Sequence, residues 1–179
     1  MKIKAFLNKA KTTAIVVLLL FIFILVLCLR LTSFFDIVTL NKNSTLDVPL
    51  CASYEEIPDG YKEYNDDFFG FSMYRNDNKG AEVKTSSFPD ASIGKSKITG
   101  ICLKETNTDA NILGIKIGDD DSIAYKQLEK YKFKIVKSSN DTIVAKKHRL
   151  RINVSIGDNY EIKEISVTVD TTNVLRVQY

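Results

Sequence analysis

The sequence holds one histidine (His148), three prolines and eight glycines in 179 residues. A lone imidazole leaves a His-based metal site or a Ser–His–Asp system little to work with. The glycines make no phosphate loop: "GIKIGDDDS" (Gly114–Ser122) has no basic residue after its last glycine and carries acids where a phosphate would bind. Cys28, Cys51 and Cys102 lie too far apart for a zinc knuckle or a redox pair. With acid–base groups suited to neutral pH so scarce, the chain reads as a non-enzyme without cofactor or metal. Low proline and glycine also argue against long disordered tracts.

Negative charge is missing from the start of the chain. Before Arg30 there is no Asp or Glu, while Lys2, Lys4, Lys9 and Lys11 precede an apolar run. The 17 residues from Thr13 to Leu29 carry no charge, and at about 1.5 Å each they make roughly 25 Å of helix. That is the short end of a membrane span. Arg30 would snorkel outward and Phe34 and Phe35 would sit at the interface, lengthening it.

Cys28 raises the question of a lipoprotein anchor, but Leu27 stands where the peptidase needs a small residue. A cleaved signal finds only Val26 and Cys28 as its small-residue pair. The expectation is an uncleaved signal-anchor over residues 13–30, with residues 1–12 as a basic cytoplasmic N-terminus. Cys28 is then an apolar helix residue; the alternative is a disulfide between two such helices. The lysines ahead of the span outweigh Arg30 and Lys42 behind it, so the remainder is expected outside the cytoplasm.

After Arg30 the chain has 20 bases against 22 acids, so the net charge of +3 belongs to the N-terminus. That excludes a general nucleic-acid binder, whose folded domain should itself be basic. Residues 31–50 read as a polar linker and residues 51–179 as one domain with its own core. Cys51 and Cys102 lie in that exported part, where a bridge closing about 50 residues is permitted; two separate buried thiols are the other reading.

Within the domain, Tyr54–Asp66 is expected to open with a short helical turn interrupted at Pro58-Asp59-Gly60. Phe69, Phe71 and Met73 alternate ahead of the turn "NDNKG", as in a hairpin. "SKITGICLKE" reads as a strand whose glycine marks a bulge or a close approach. "DDDSIAYKQLEKYKF" reads as a helix, capped by its acids and striped by Ile123, Ala124, Leu128 and Tyr131. Three strands follow: Phe133–Val136, a long one over Thr142–Ile156, and Glu161–Asp170. "KITGICLKETNTD" echoes "EIKEISVTVDTTN", which suggests two half-units, 51–109 and 110–179.

Three clusters invite a functional reading. Asp119, Asp120 and Asp121 offer carboxylates for Ca²⁺, but adjacent residues point apart and helix capping explains them better. His148 falls on the apolar face of the long strand and reads as structural. Lys147, Arg149 and Arg151 would form a row on the opposite face, able to meet an anionic lipid or wall polymer, or the chain's own acids. Residues 36–121 hold 16 acids against 9 bases and residues 122–179 hold 6 against 11.

At "ILGIKIGDDDSIAYKQLEKYKF" the chain resembles the BamE-like (SmpA/OmlA) domain. Gly114, Ile115, Gly118, Asp121, Ser122, Leu128 and Tyr131 carry the resemblance, which covers residues 112–169 with the meander that follows. It departs from the family at "KYKFKIV", which lacks the common Gly-x-Pro after the helix. The resemblance implies a small exported module that binds other proteins and carries no catalytic site.

The expected protein is therefore an N-terminal transmembrane helix followed by a small α+β domain, an antiparallel sheet with one or two short helices on one face. It is expected in the cytoplasmic membrane of a bacterium, single-pass with its domain outside. The expected role is non-catalytic binding of another envelope protein; the alternative is recognition of an anionic lipid or wall polymer through Lys147, Arg149 and Arg151.

Overall fold

The computed structural model describes residues 2–65, 71–86 and 96–170. Phe69, expected in the first hairpin, lies outside them. The chain divides into two compact units, Met1–Phe35 and Asp36–Tyr179.

The first unit is helical. Helix α1 spans Lys2–Lys42, and from Thr13 it is long and apolar enough to cross a membrane, with a mean hydropathy of 3.2 in its best window. Its large apolar side chains from Ile15 to Leu27 are all exposed, a run that lipid would accommodate and water would not. The helix does not stop at residue 30. It continues through more than half of the expected linker, to Lys42, and its last turns, in the second unit, bury Leu40 and pack Ile37 against the core. Charge and polarity near Asp36 suggested a break, yet no Pro or Gly interrupts the segment.

The second unit is built on one antiparallel sheet of eight strands in the order β1-β2-β3-β4-β8-β7-β6-β5. These are β1 (Lys62–Asn65), β2 (Phe71–Asn76), β3 (Ala81–Ser86), β4 (Ile98–Leu103), β5 (Lys134–Ser139), β6 (Thr142–Lys147), β7 (Leu150–Ile156) and β8 (Ile162–Val169). A single α-helix, α2 (Asp121–Lys130), joins them among the described residues of this unit beyond the end of α1. The unit is thus largely a sheet.

Two four-stranded meanders, β1–β4 and β5–β8, meet along their last strands. There Ile101 pairs with Val167, Cys102 with Ser166 and Leu103 with Ile165. The echoing segments seen in the sequence are these two central strands. Each carries a bulge at the matching place: Thr99 is the extra residue between Ile98 and Gly100, and Lys163 between Ile162 and Glu164. Beside the first bulge, a Cβ on Gly100 would lie 3.2 Å from Thr168 Cγ2 and 3.3 Å from Lys84 Cβ, so glycine also answers a close approach.

The sheet has one apolar face. Val83, Ile101, Leu103, Ile143, Ile152, Val154, Ile165 and Val167 point into a single core with Ala124 and Leu128 of α2. Helix α2 starts where expected: Asp120 caps it, its side chain accepting from the Ser122 N–H at 3.0 Å. It ends in a turn the sequence hid. The Lys132 N–H donates to Glu129 O and the Phe133 N–H to Leu128 O, both at 2.8 Å, with Lys132 at φ 60. That is a Schellman motif with lysine where glycine is usual.

The expected long strand over Thr142–Ile156 is a hairpin. Lys147 pairs with Leu150 across a two-residue turn, His148-Arg149, in which His148 has φ 48. The signal was present. Inward positions run odd through Ile143 and Ala145, then even through Leu150, Ile152 and Val154, the parity switch that a two-residue turn imposes.

Candidate functional site

The hairpin disperses the basic row read from the sequence. Lys147 lies on the core side and pairs with Asp36 at 2.9 Å, and the His148 Nδ1 contacts the same carboxylate. Arg149, in the turn, donates through Nε to Asp170 O at 3.0 Å. Only Arg151 stands on the outer face, donating to Asn153 Oδ1 at 3.1 Å. His148 is therefore a turn residue beside Asp36, not a strand residue on an apolar face.

A different basic row forms across strands. Lys134 of β5 pairs with Lys146 of β6, which pairs with Arg151 of β7. At about 4.8 Å per strand, three cations stand within roughly 10 Å on the outer face. None of the three makes an ion pair among the described residues. Thr168 and Gly100 continue the same row to Lys84, whose ammonium lies 3.6 Å from the Phe71 ring centroid. Burial against this ring side holds the Lys84 ammonium below its usual pKa.

The middle of the outer face is neutralised. Glu82, its side chain 9 % exposed, pairs with Arg75 at 2.8 Å and with Lys104 at 3.6 Å, and Lys104 reaches Glu164 at 2.7 Å. Burial works against the charge on Lys104, but its hydrogen bond to Glu164 and the nearby negative charges outweigh that and raise its pKa. Cys102 sits among them, cross-strand from Glu82 and Ser166. Burial first, then the negative charge of Glu164, pushes its thiol up to about 12, so it stays protonated and inert at neutral pH.

Cys51 and Cys102 are free thiols in the structure. Cys51 packs against the core, its N–H bonded to Ile98 O, whereas Cys102 belongs to the outer face of β4. The bridge allowed by the sequence is not formed, because the two side chains lie on opposite sides of the strand. The three aspartates are also accounted for. Asp119 Oδ2 accepts from the Lys116 N–H at 2.8 Å, Asp120 caps α2, and Asp121 opens its first turn. Among the described residues no group of three His, Cys, Asp or Glu gathers as a metal site.

One groove lies beside the sheet. Tyr125, Glu129, Lys132, Phe133, Lys134 and Ile135 line an open depression between α2 and β5. The Tyr125 and Ser138 hydroxyls are hydrogen-bonded at 2.6 Å and tie helix to strand. Strand β5 is last in the sheet and exposed along its whole length. Sequence reading missed this groove, since Tyr125 and Ile135 meet only once the helix has turned back at Lys132.

No family model, curated protein or solved structure matches the chain. The likeness to the BamE-like domain therefore rests on the quoted residues alone.

Proposed function

We propose that this chain is a membrane-anchored, extracytoplasmic binding module without catalytic activity, which engages another protein of the cell envelope. One observation carries the reading. The eight-stranded sheet is covered on one face by α2 and the chain around residues 40–50, while its other face carries polar side chains with no described helix upon it. A broad polar face with small central residues (Gly100, Thr168, Ser166, Asn153) accommodates a flat protein surface better than a small molecule. The span within α1 and the lysine-rich start of the chain support a single pass with the domain outside.

The test places a photo-crosslinking amino acid at Asn153 or Ser166 in the full chain, with Asp158 at the β7–β8 turn as the control site. Crosslinks to one defined envelope protein from the two face positions and not from Asp158 are expected. In the same cells an Asp158→Cys variant should react with a membrane-impermeant thiol reagent. Labelling only after lysis would put the domain inside and overturn the placement. Equal or absent crosslinking from all three positions would overturn the binding face.

A second reading, recognition of an anionic lipid or wall polymer, is favoured by the row Lys134–Lys146–Arg151. Its contacts would be phosphate or carboxylate groups, and moderate salt would abolish them.

A further inference from the structure

We propose that the open edge of β5, with the groove between it and α2, takes an extended acidic and apolar segment of the partner by strand addition. This rests on the reading of the domain as a protein-binding module and assigns the chemistry of what it binds. As the last strand, β5 turns a row of N–H and C=O groups away from β6, unpaired by any described strand. Edges are ordinarily blunted by being short or charged. The opposite edge fits that pattern, since β1 has four residues with Lys62 and Glu63 beside each other. Strand β5 is charged too, by Lys134 and Lys137, and bulges at Val136, but it is longer and between those lysines carries exposed Ile135 and Val136, 37 % and 49 % accessible. Beside it the groove offers Tyr125 and Phe133 as apolar walls, the arrangement in which backbone bonds give affinity and a side pocket gives selectivity.

Charge chooses the occupant. Among the groove-lining residues Lys132 and Lys134 outnumber Glu129, and Lys130 at the helix end and Lys137 on the edge strand, the latter near Asp141, add to the positive charge of these two elements. A second copy of this chain, paired β5 to β5, would bring two sets of these lysines to one seam, where like charges destabilise. A segment alternating acidic and β-branched residues answers both features: its acids meet the lysines and its apolar side chains enter the groove. Lys134 also belongs to the outer basic row, so one partner can lie on the face and add its strand at this edge.

The probe is an eight-residue peptide of alternating Glu and Val, capped at both ends, with its Lys/Val counterpart as control. The full chain is held in lipid nanodiscs and amide hydrogen exchange is followed. The Glu/Val peptide should slow exchange within Lys134–Ser139, and the Lys/Val peptide should not. The double variant Lys132→Glu/Lys134→Glu, checked for an unchanged melting transition, should weaken the Glu/Val peptide by about tenfold and admit the Lys/Val one. Protection elsewhere, equal binding of both peptides, or no protection of β5 would overturn the proposal. Crosslinking from Ile135 separates its failure from that of the broader reading. A partner captured from Asn153 and not from Ile135 would overturn strand addition and leave the binding module standing, whereas silence at both sites would remove both.

Discussion

The two halves of the sheet are alike in their strands and unlike in what covers them. Strands β5–β8 are roofed by a regular helix, α2, which buries Ala124 and Leu128. Strands β1–β4 are roofed by an irregular strap: Leu46 and Val48 lie over Ala81, Val83, Ile101 and Leu103, and Leu50 is 2 % exposed. The helix supplies its own backbone hydrogen bonds. The strap must borrow them, and it does: Asn41 gives Nδ2 to Leu50 O and accepts from the Leu50 N–H, Thr45 pairs with Asn111, and Cys51 bonds Ile98. An apolar roof can thus be made without secondary structure if long-range partners satisfy each peptide group.

The sharpest test of this equivalence removes one roof contact from each half. Leu128→Ala and Leu50→Ala each delete a side chain that is 0 % or 2 % exposed, and each should destabilise by about 2–5 kcal/mol through lost burial and a residual cavity. Chemical unfolding of the full chain in detergent measures both. A cost under about 1 kcal/mol for Leu50→Ala would show the strap to be a loose cover and break the comparison.

Next in size is the clamp that replaces helical hydrogen bonding. Asn41→Leu keeps the bulk near Leu50 but strips partners from a buried N–H and C=O, for an expected loss of about 1–3 kcal/mol. Hydrogen exchange should accelerate around residues 46–52 before the α2 amides change. Simultaneous acceleration in both regions would mean that strap and helix unfold as one unit.

The same contrast explains what the sequence disclosed. Helix α2 was legible because its stripe, its cap and its acids are local: Ala124 and Leu128 are four residues apart and Asp120 is two from the amide it binds. The hairpin turn at Asn76–Gly80 and the central strands were legible for the same reason, as period-two patterns bounded by turn residues. The strap was not. Asn43, Ser44, Thr45, Asp47 and Pro49 look like a linker, and what orders them comes from far along the chain: Ser44 Oγ accepts from the Leu113 N–H and Asp47 binds Tyr61 and Lys79. The basic row of Lys134, Lys146 and Arg151 was hidden because register, not spacing, assembles it. Reading through His148 as continuous strand placed Lys147 and Arg149 on a face they do not share.

A smaller effect, of opposite sign, sits at the end of α2. Lys132 occupies the left-handed region at φ 60 to close the Schellman turn, a conformation that costs an L-residue about 1 kcal/mol or more and glycine almost nothing. Lys132→Gly should stabilise the domain by about 1 kcal/mol, read as a higher unfolding midpoint. Should the midpoint fall, the lysine side chain would be contributing something the backbone argument omits. By removing one cation from the groove, the same substitution should also weaken the Glu/Val peptide, so stability and binding would move in opposite directions.

The smallest effect belongs to the start of α2, where a charged side chain caps the helix. The side-chain and backbone hydrogen bonds from Ser122 hold the Asp120 carboxyl below its usual 3.8. A carboxyl depressed on folding stabilises the native state above its unfolded pKa, and that stabilisation is lost as pH falls through the lower native pKa. The contribution is therefore present at neutral pH and fades below about pH 3.8. Asp120→Asn keeps an acceptor for the Ser122 N–H but has no proton to gain. The variant should melt slightly below the parent at pH 7, and the gap should close as the solution is acidified through this window. A gap that stays constant with pH would assign the cap's value to hydrogen-bond geometry alone and leave the helix dipole no part in fixing this roof.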